Sequence, residues 1–196
     1  GWLRARNAQG GGVYIRPMDR RITLLDDLDI DHIKQLEHMN FAPAAVVETS
    51  GDNFQGWIRL LPPEAPEPSR EVATQASRSL TKAFGGDPAA VGAERFGRLP
   101  GFVNRKPKHD RAGRGPWVTL KAATGAIAAA GLSLISQLER ALQAVAERVN
   151  AAAHRKQQKV RPARARPTRR PAVGSADADA LVLAGLERSM TETSDQ

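Results

Sequence analysis

The chain alternates short apolar runs with turn-forming residues, and most blocks read as single elements. GGGVYIRP enters a short strand, Val13 to Arg16, from glycines and closes it with Pro17. RRITLLDDLD is a second strand that runs into acids. IDHIKQLEHMN places Ile30, Ile33, Leu36 and Met39 at helical spacing, with Asp29 or Asp31 as N-cap. PAAVVETS is a third strand; Gly51-Asp52-Asn53 turns the chain, and FQGWIRLL returns as a fourth, making a hairpin. PPEAPEP is a loop. SREVATQASRSLTKAFGG is a helix capped by Ser69 and stopped by Gly85-Gly86. FGRLPGFVNRKPKH, broken by Gly97, Pro100, Gly101 and Pro107, is a loop, and GPWVTLKAA is a last short strand.

An Ala/Leu/Gln-rich helix follows over roughly Leu132 to Lys156, with Leu134, Leu138, Leu142 and Val145 on one stripe. A Pro/Arg-rich stretch follows, of a composition expected to stay disordered, and ADALVLAGLERSM has the pattern of a further short helix. The order of strands and helices predicts an α+β layer, an antiparallel or mixed sheet backed by helices. The divisions are a core over 1–124, a helical segment over 125–158 that could begin a further helical domain, a basic linker over 159–176, and a short helix or disordered tail over 177–196.

Composition narrows the function classes. The chain has 196 residues and no cysteine, which excludes a disulfide framework, a zinc-thiolate centre and a cysteine nucleophile, and fits a reducing cytoplasm. No apolar run approaches the roughly 18 residues of a membrane span, and no membrane association is expected. The chain starts at Gly1 rather than Met, which suggests a fragment. The net charge is +8 and unevenly placed: residues 154–170 hold eight of the 29 Lys and Arg and no acid, leaving 21 basic against 21 acidic residues elsewhere. That run suits a polyanion or a solvated linker.

Four places carry candidate chemistry. In LLDDLDID, four carboxylates crowd the end of an apolar strand, and like charges this close want a cation, for which magnesium is suited. Side chains alternate along a strand, so Asp26 and Asp27 converge only at a bulge or at the strand end. Asp29 and Asp31 suit a helix N-terminus. Asp87 in GGDPAA reads locally as a turn or cap residue. ETSGDNFQGW presents Ser50, Asn53 and Gln55 around a tight turn. The loop over 96–109 carries Arg98, Arg105, Lys106, Lys108 and His109 without an acid, a pattern suited to phosphate or to solvent. The four histidines lack metal-ligand spacing, and there is no Walker-type phosphate loop.

Taken in order, VYIRP, LLDDLD, AAVVETSGDNFQGWIRL, GGDPAA and FGRLPGFVNRKPKH resemble the RepB-like DNA primase domain of mobilisable plasmids, related to conjugative relaxase and primase proteins. The resemblance covers about residues 2–121. It implies an RRM-like core of the archaeo-eukaryotic primase type. It also implies synthesis of short primers on single-stranded DNA from nucleoside triphosphates, with Mg2+ or Mn2+ held by Asp26, Asp27 and Asp87. Arg98, Asn104, Arg105 and Lys106 match the family's basic motif and would hold nucleotide or template; Ser50, Asn53 and Gln55 match the polar hairpin beside it. A relaxase or helicase of the same plasmid system is the implied partner. The broader superfamily carries a Ser-x-His element where this chain has Ser50-Gly51-Asp52. The competing reading is a non-catalytic single-stranded DNA-binding module, for which Phe54, Trp57 and Phe102 are the aromatic candidates.

Overall fold

The computed structural model describes residues 1–109 and 114–159. The chain divides into two compact units, 1–135 and 136–196. Elements follow in the order α1 (Trp2–Ala8), β1 (Tyr14–Ile15), β2 (Ile22–Leu28), α2 (Ile30–His38), β3 (Ala45–Ser50), β4 (Asn53–Arg59), α3 (Arg70–Phe84), a 3-10 turn (Pro88–Ala90), β5 (Gly97–Arg98), β6 (Thr119–Ala123) and α4 (Gly131–Lys159). In the second unit the described residues belong to α4. The basic run beyond residue 159 and the short helix expected after 176 lie outside the described residues.

Four strands form one antiparallel sheet in the order β2-β4-β3-β6, and β1 and β5 form a separate two-stranded ribbon. The expected α+β class, an antiparallel sheet backed by helices, is what the chain adopts. Local chemistry sets the helix limits. Asp29 caps α2 by accepting from the backbone N–H of Asp31 and His32, and His32 Nδ1 accepts the Asp29 N–H in return. Ser69 Oγ accepts Val72 N–H at the start of α3, and Gly85, with φ +73°, ends it in the left-handed conformation.

The two faces of β4 do different work, as the two-residue period of a strand requires. A Cβ on Gly56 would meet Leu28, Ile33 and Leu36, so this face packs on the helices. Leu25, Leu28, Leu36, Ile58 and Leu80 are fully buried there, each worth about 1.5–3 kcal/mol relative to exposure. The neighbours Gln55 and Trp57 point the other way, under the β1–β5 ribbon: a Cβ on Gly97 would overlap the Trp57 ring. Only glycine lets the ribbon lie this close to the sheet.

Two elements were not expected from sequence. Helix α1 has Gly1 as N-cap with no side-chain cap bond. Strand β5 is two residues long and exists through its pairing with β1, Tyr14 opposite Arg98 and Ile15 opposite Gly97. Part of the loop expected over 96–109 is therefore a strand. No helix among the described residues is long and apolar enough to cross a membrane.

Candidate active site

Strand β2 pairs regularly with β4 as far as Leu25 and resumes only at Leu28. Asp26 and Asp27 occupy the resulting bulge, one of the two geometries in which adjacent strand residues converge. Asp27 sits at φ +62°, which only a few per cent of non-glycine residues adopt and Asp tolerates better than most. The turn is closed by Asp27 N–H donating to Asp26 Oδ1 at 2.9 Å.

Both carboxylates are clamped by amides from the β3–β4 hairpin. Gln55 Nε2 donates to Asp26 Oδ1 at 3.0 Å, and Asn53 Nδ2 donates to Asp27 Oδ1 at 2.5 Å. Each amide is fixed at its other end. Thr49 Oγ1 donates to Asn53 Oδ1, and Gln55 Oε1 accepts the backbone N–H of Arg98. Among the described residues the second oxygen of each aspartate has no hydrogen-bond or ion-pair partner.

The same site carries cations. A cleft of about 180 Å³ is lined by the acids Asp26 and Asp27, by Arg98, Lys106, Lys108 and His109, by the polar Thr49, Ser50, Asn53, Gln55 and Asn104, and by Tyr14 and Phe96. Arg98 is only 7 % exposed, and its guanidinium lies 4.9 Å from the centre of the Tyr14 ring. Among the described residues no carboxylate pairs with it. A buried cation without a counter-charge favours an anionic ligand. His109 is held below the ordinary imidazole value, first by desolvation and then by Lys108, Lys106 and Arg98, with Asp27 pulling weakly the other way. The imidazole is thus kept neutral at pH 7 beside three cations.

The basic wall is held from behind by two buried amides. Asn104 Nδ2 donates to Thr49 O and its Oδ1 accepts Lys106 N–H. Asn7, from α1, donates to the Gly11 and Val103 carbonyls and accepts Val103 N–H.

The site residues expected from sequence therefore separate. Asp26, Asp27, Ser50, Asn53, Gln55, Arg98, Asn104 and Lys106 come together in the cleft. Arg105 does not line it; its Nε donates to the Asn7 carbonyl. Asp87 is tied to the site through its backbone, its N–H donating to Asp26 O at 2.9 Å, while its carboxylate caps the 3-10 turn at Ala89 N–H and does not line the cleft. Asp29 is occupied with its helix cap. Among the described residues no three acidic or imidazole side chains form a metal-holding group. Asp26 and Asp27 alone still suit magnesium, which takes one or two carboxylates and completes its shell with water and substrate phosphates.

Tyr14, Thr49, Phe96 and Asn7 are site residues that sequence reasoning missed. Their proximity comes from tertiary pairing. Only the basic run over 96–109 carried a local signal, and it drew attention to Lys108 and His109.

This fold is shared with solved primase structures. One is primase RepB', with a TM-score of 0.71, 32 % identity, and coverage of 81 % of this chain and 54 % of that one. Another is the catalytic domain of primase RepB' in complex with initiator DNA, with a TM-score of 0.66, 35 % identity, and coverage of 74 % of each chain. The class is thus that of a primase catalytic domain by fold. The RepB DNA-primase N-terminal domain model matches residues 3–145, and the chain belongs to that family. Mobilization protein A of Escherichia coli is 40 % identical over 140 residues, covering 69 % of this chain and 19 % of that protein. A DNA primase of Acidithiobacillus ferrooxidans is 32 % identical over 138 residues, covering 69 % of this chain and 39 % of that protein. The chain therefore spans well under half the length of either relative.

Proposed function

We propose that this chain is the catalytic core of a DNA primase acting in plasmid replication or mobilisation, joining nucleoside triphosphates into short primers on single-stranded DNA. The observation that carries the reading is the meeting, in one cleft, of the paired carboxylates of Asp26 and Asp27 with the cations of Arg98, Lys106 and Lys108. Membership of the RepB primase family supports it.

In this reading Asp26 and Asp27 hold Mg2+ or Mn2+ through the oxygens that the hairpin amides leave open. The metal, when bound, supplies charge neutralisation of the triphosphate and activation of the attacking hydroxyl. Gln55 and Asn53 keep the two carboxylates from rotating away. Arg98, Lys106 and Lys108 bind triphosphate or template phosphates, with the guanidinium suited to bidentate contact. Ser50 lines the same cleft and Asn104 sets the spacing of its floor to Lys106. Asp87 acts on this site as the backbone partner of Asp26 and as the third acid once its side chain leaves Ala89. Arg105 braces the wall against α1.

The test is primer synthesis on single-stranded DNA with labelled nucleotides and magnesium, manganese or EDTA. The expected result is metal-dependent short products that disappear in the Asp26→Ala/Asp27→Ala double variant. Salt-sensitive binding without any product would favour the non-catalytic binding module instead.

A further inference from the structure

We propose that Tyr14 and Phe96 form a nucleobase-stacking platform at the rim of the cleft; the inference rests on the reading of that cleft as a site for nucleotide or nucleic-acid phosphates. The chain has only nine Phe, Trp and Tyr residues. Phe41, Phe54 and Phe84 are in the core, and Trp57 is packed under Gly97. Two of the three aromatics expected from sequence to grip DNA, Phe54 and Trp57, are thus committed to packing. Tyr14 and Phe96 instead are 51 % and 59 % exposed, and both line the cleft.

Each ring has one face covered by a guanidinium. Arg98 stands 4.9 Å from the Tyr14 centroid and Arg16 stands 5.3 Å from that of Phe96. Half or more of each residue nevertheless remains exposed. An aromatic ring with arginine behind it and cations beside it is the chemistry of single-strand recognition, in which bases stack and phosphates find positive charge without a sequence code.

The platform is also stiff. Tyr14 lies on β1, directly opposite Arg98 on β5, and Phe96 immediately precedes β5. The ribbon is pinned to the sheet through Gly97 against Trp57 and through Arg98 N–H on Gln55. A Cβ on Gly12 would stand 2.8 Å from the Tyr14 ring, so a glycine there gives the ring its place. Rings held this way lose little freedom on binding.

The ligand chemistry is an unpaired base, from the single strand or from the nucleoside triphosphate. The test measures affinities of wild type, Tyr14→Ala, Phe96→Ala and Phe96→Trp for two ligand pairs. One pair is a labelled single-stranded oligonucleotide and its counterparts with an abasic site at successive positions. The other is a nucleoside triphosphate and ribose 5'-triphosphate. The alanine variants are expected to weaken the base-bearing ligand by about 5- to 150-fold, the span of one base–aromatic stack. They should do so with an unchanged salt slope, and they should lose nothing against the matching abasic ligand. Phe96→Trp should restore affinity. An effect on the oligonucleotide pair assigns the platform to the strand, and an effect on the triphosphate pair assigns it to the incoming nucleotide. Wild-type affinity in both alanine variants, or equal losses for base-bearing and abasic ligands, would overturn the proposal. Neither result depends on catalysis, so absent primer synthesis and an absent stacking platform remain distinguishable.

Discussion

Gln55 joins an acid of the cleft to the strand that carries its arginine: its Nε2 donates to Asp26 Oδ1 at 3.0 Å and its Oε1 accepts Arg98 N–H at 2.9 Å. A single buried amide therefore sets both the rotamer of an acid and the height of the cationic strand above it. Gln55→Glu keeps the acceptor for Arg98 and replaces the donor to Asp26 with a like charge. The added carboxylate raises the negative charge beside Asp26, so metal titration of this variant is expected to shift to tighter binding by about tenfold, equivalent to about 1.4 kcal/mol, with the far-ultraviolet dichroism unchanged. Gln55→Leu removes both bonds and should lower stability by about 1–3 kcal/mol in urea unfolding. Unaltered metal binding in Gln55→Glu would show that the metal is not held beside Asp26.

Asp27 has the backbone of a glycine position, at φ +62°. Asp27→Gly removes a side chain from that conformation, whereas Asp27→Val places a β-branched residue in it. The glycine variant is expected to be more stable than the valine variant by at least about 1 kcal/mol, while both lose primer synthesis. Equal denaturation midpoints would mean that the bulge relaxes on substitution.

Asn7 makes three hydrogen bonds to the backbone of Gly11 and Val103 from a 5 % exposed position. Asn7→Ala leaves those groups with no partner among the described residues and should lower stability by about 3 kcal/mol. Because Val103 leads into Asn104, Arg105 and Lys106, affinity for a polyanion should fall as well. A variant with wild-type unfolding and wild-type binding would show that α1 is dispensable to the basic wall.

His109 gives the site a pH dependence. Its folded-state value lies below 6.5, through desolvation and the neighbouring Lys108, Lys106 and Arg98. As pH falls below 6.5 the unfolded chain takes up the proton first, so this contribution to stability is complete above pH 6.5 and is lost on going lower. A phosphate entering the cleft favours the protonated imidazole, so binding is expected to take up a proton and to tighten as pH falls from 7 to 6. Calorimetry in buffers of different ionisation enthalpy should detect the uptake, and His109→Gln should abolish it. The same uptake in both proteins would place the titrating group elsewhere.

What was legible in the sequence was local. Asp29, Ser69 and Gly85 announced helix ends because a cap is written in a few consecutive residues, and α2, α3, β3 and β4 follow. Strand β5 was not legible because two residues, Gly97 and Arg98, become a strand only by meeting Tyr14 and Ile15. The acids and the basic run were visible as residue types. Their placement was not: Arg105 belongs to the same charged string as Lys106 yet its Nε donates to the Asn7 carbonyl, and the Asp87 carboxylate accepts Ala89 N–H while its own N–H reaches Asp26. Such choices are made by groups that arrive from elsewhere in the chain.

The clasp between Asn7 and Val103 spans 96 residues, and β6 completes the sheet on β3 only after residue 119. Closing loops of this length carries an entropic cost that local contacts cannot defray in advance, and folds rich in such pairings reach their native state slowly. During synthesis from the N-terminus, Asp26 and Asp27 leave the ribosome long before the cations that face them. For that interval the two acids have no cations to meet, and β3 has no β6 to pair with. The chemistry of the cleft is thus switched on only when β5 and the basic loop after it have been made.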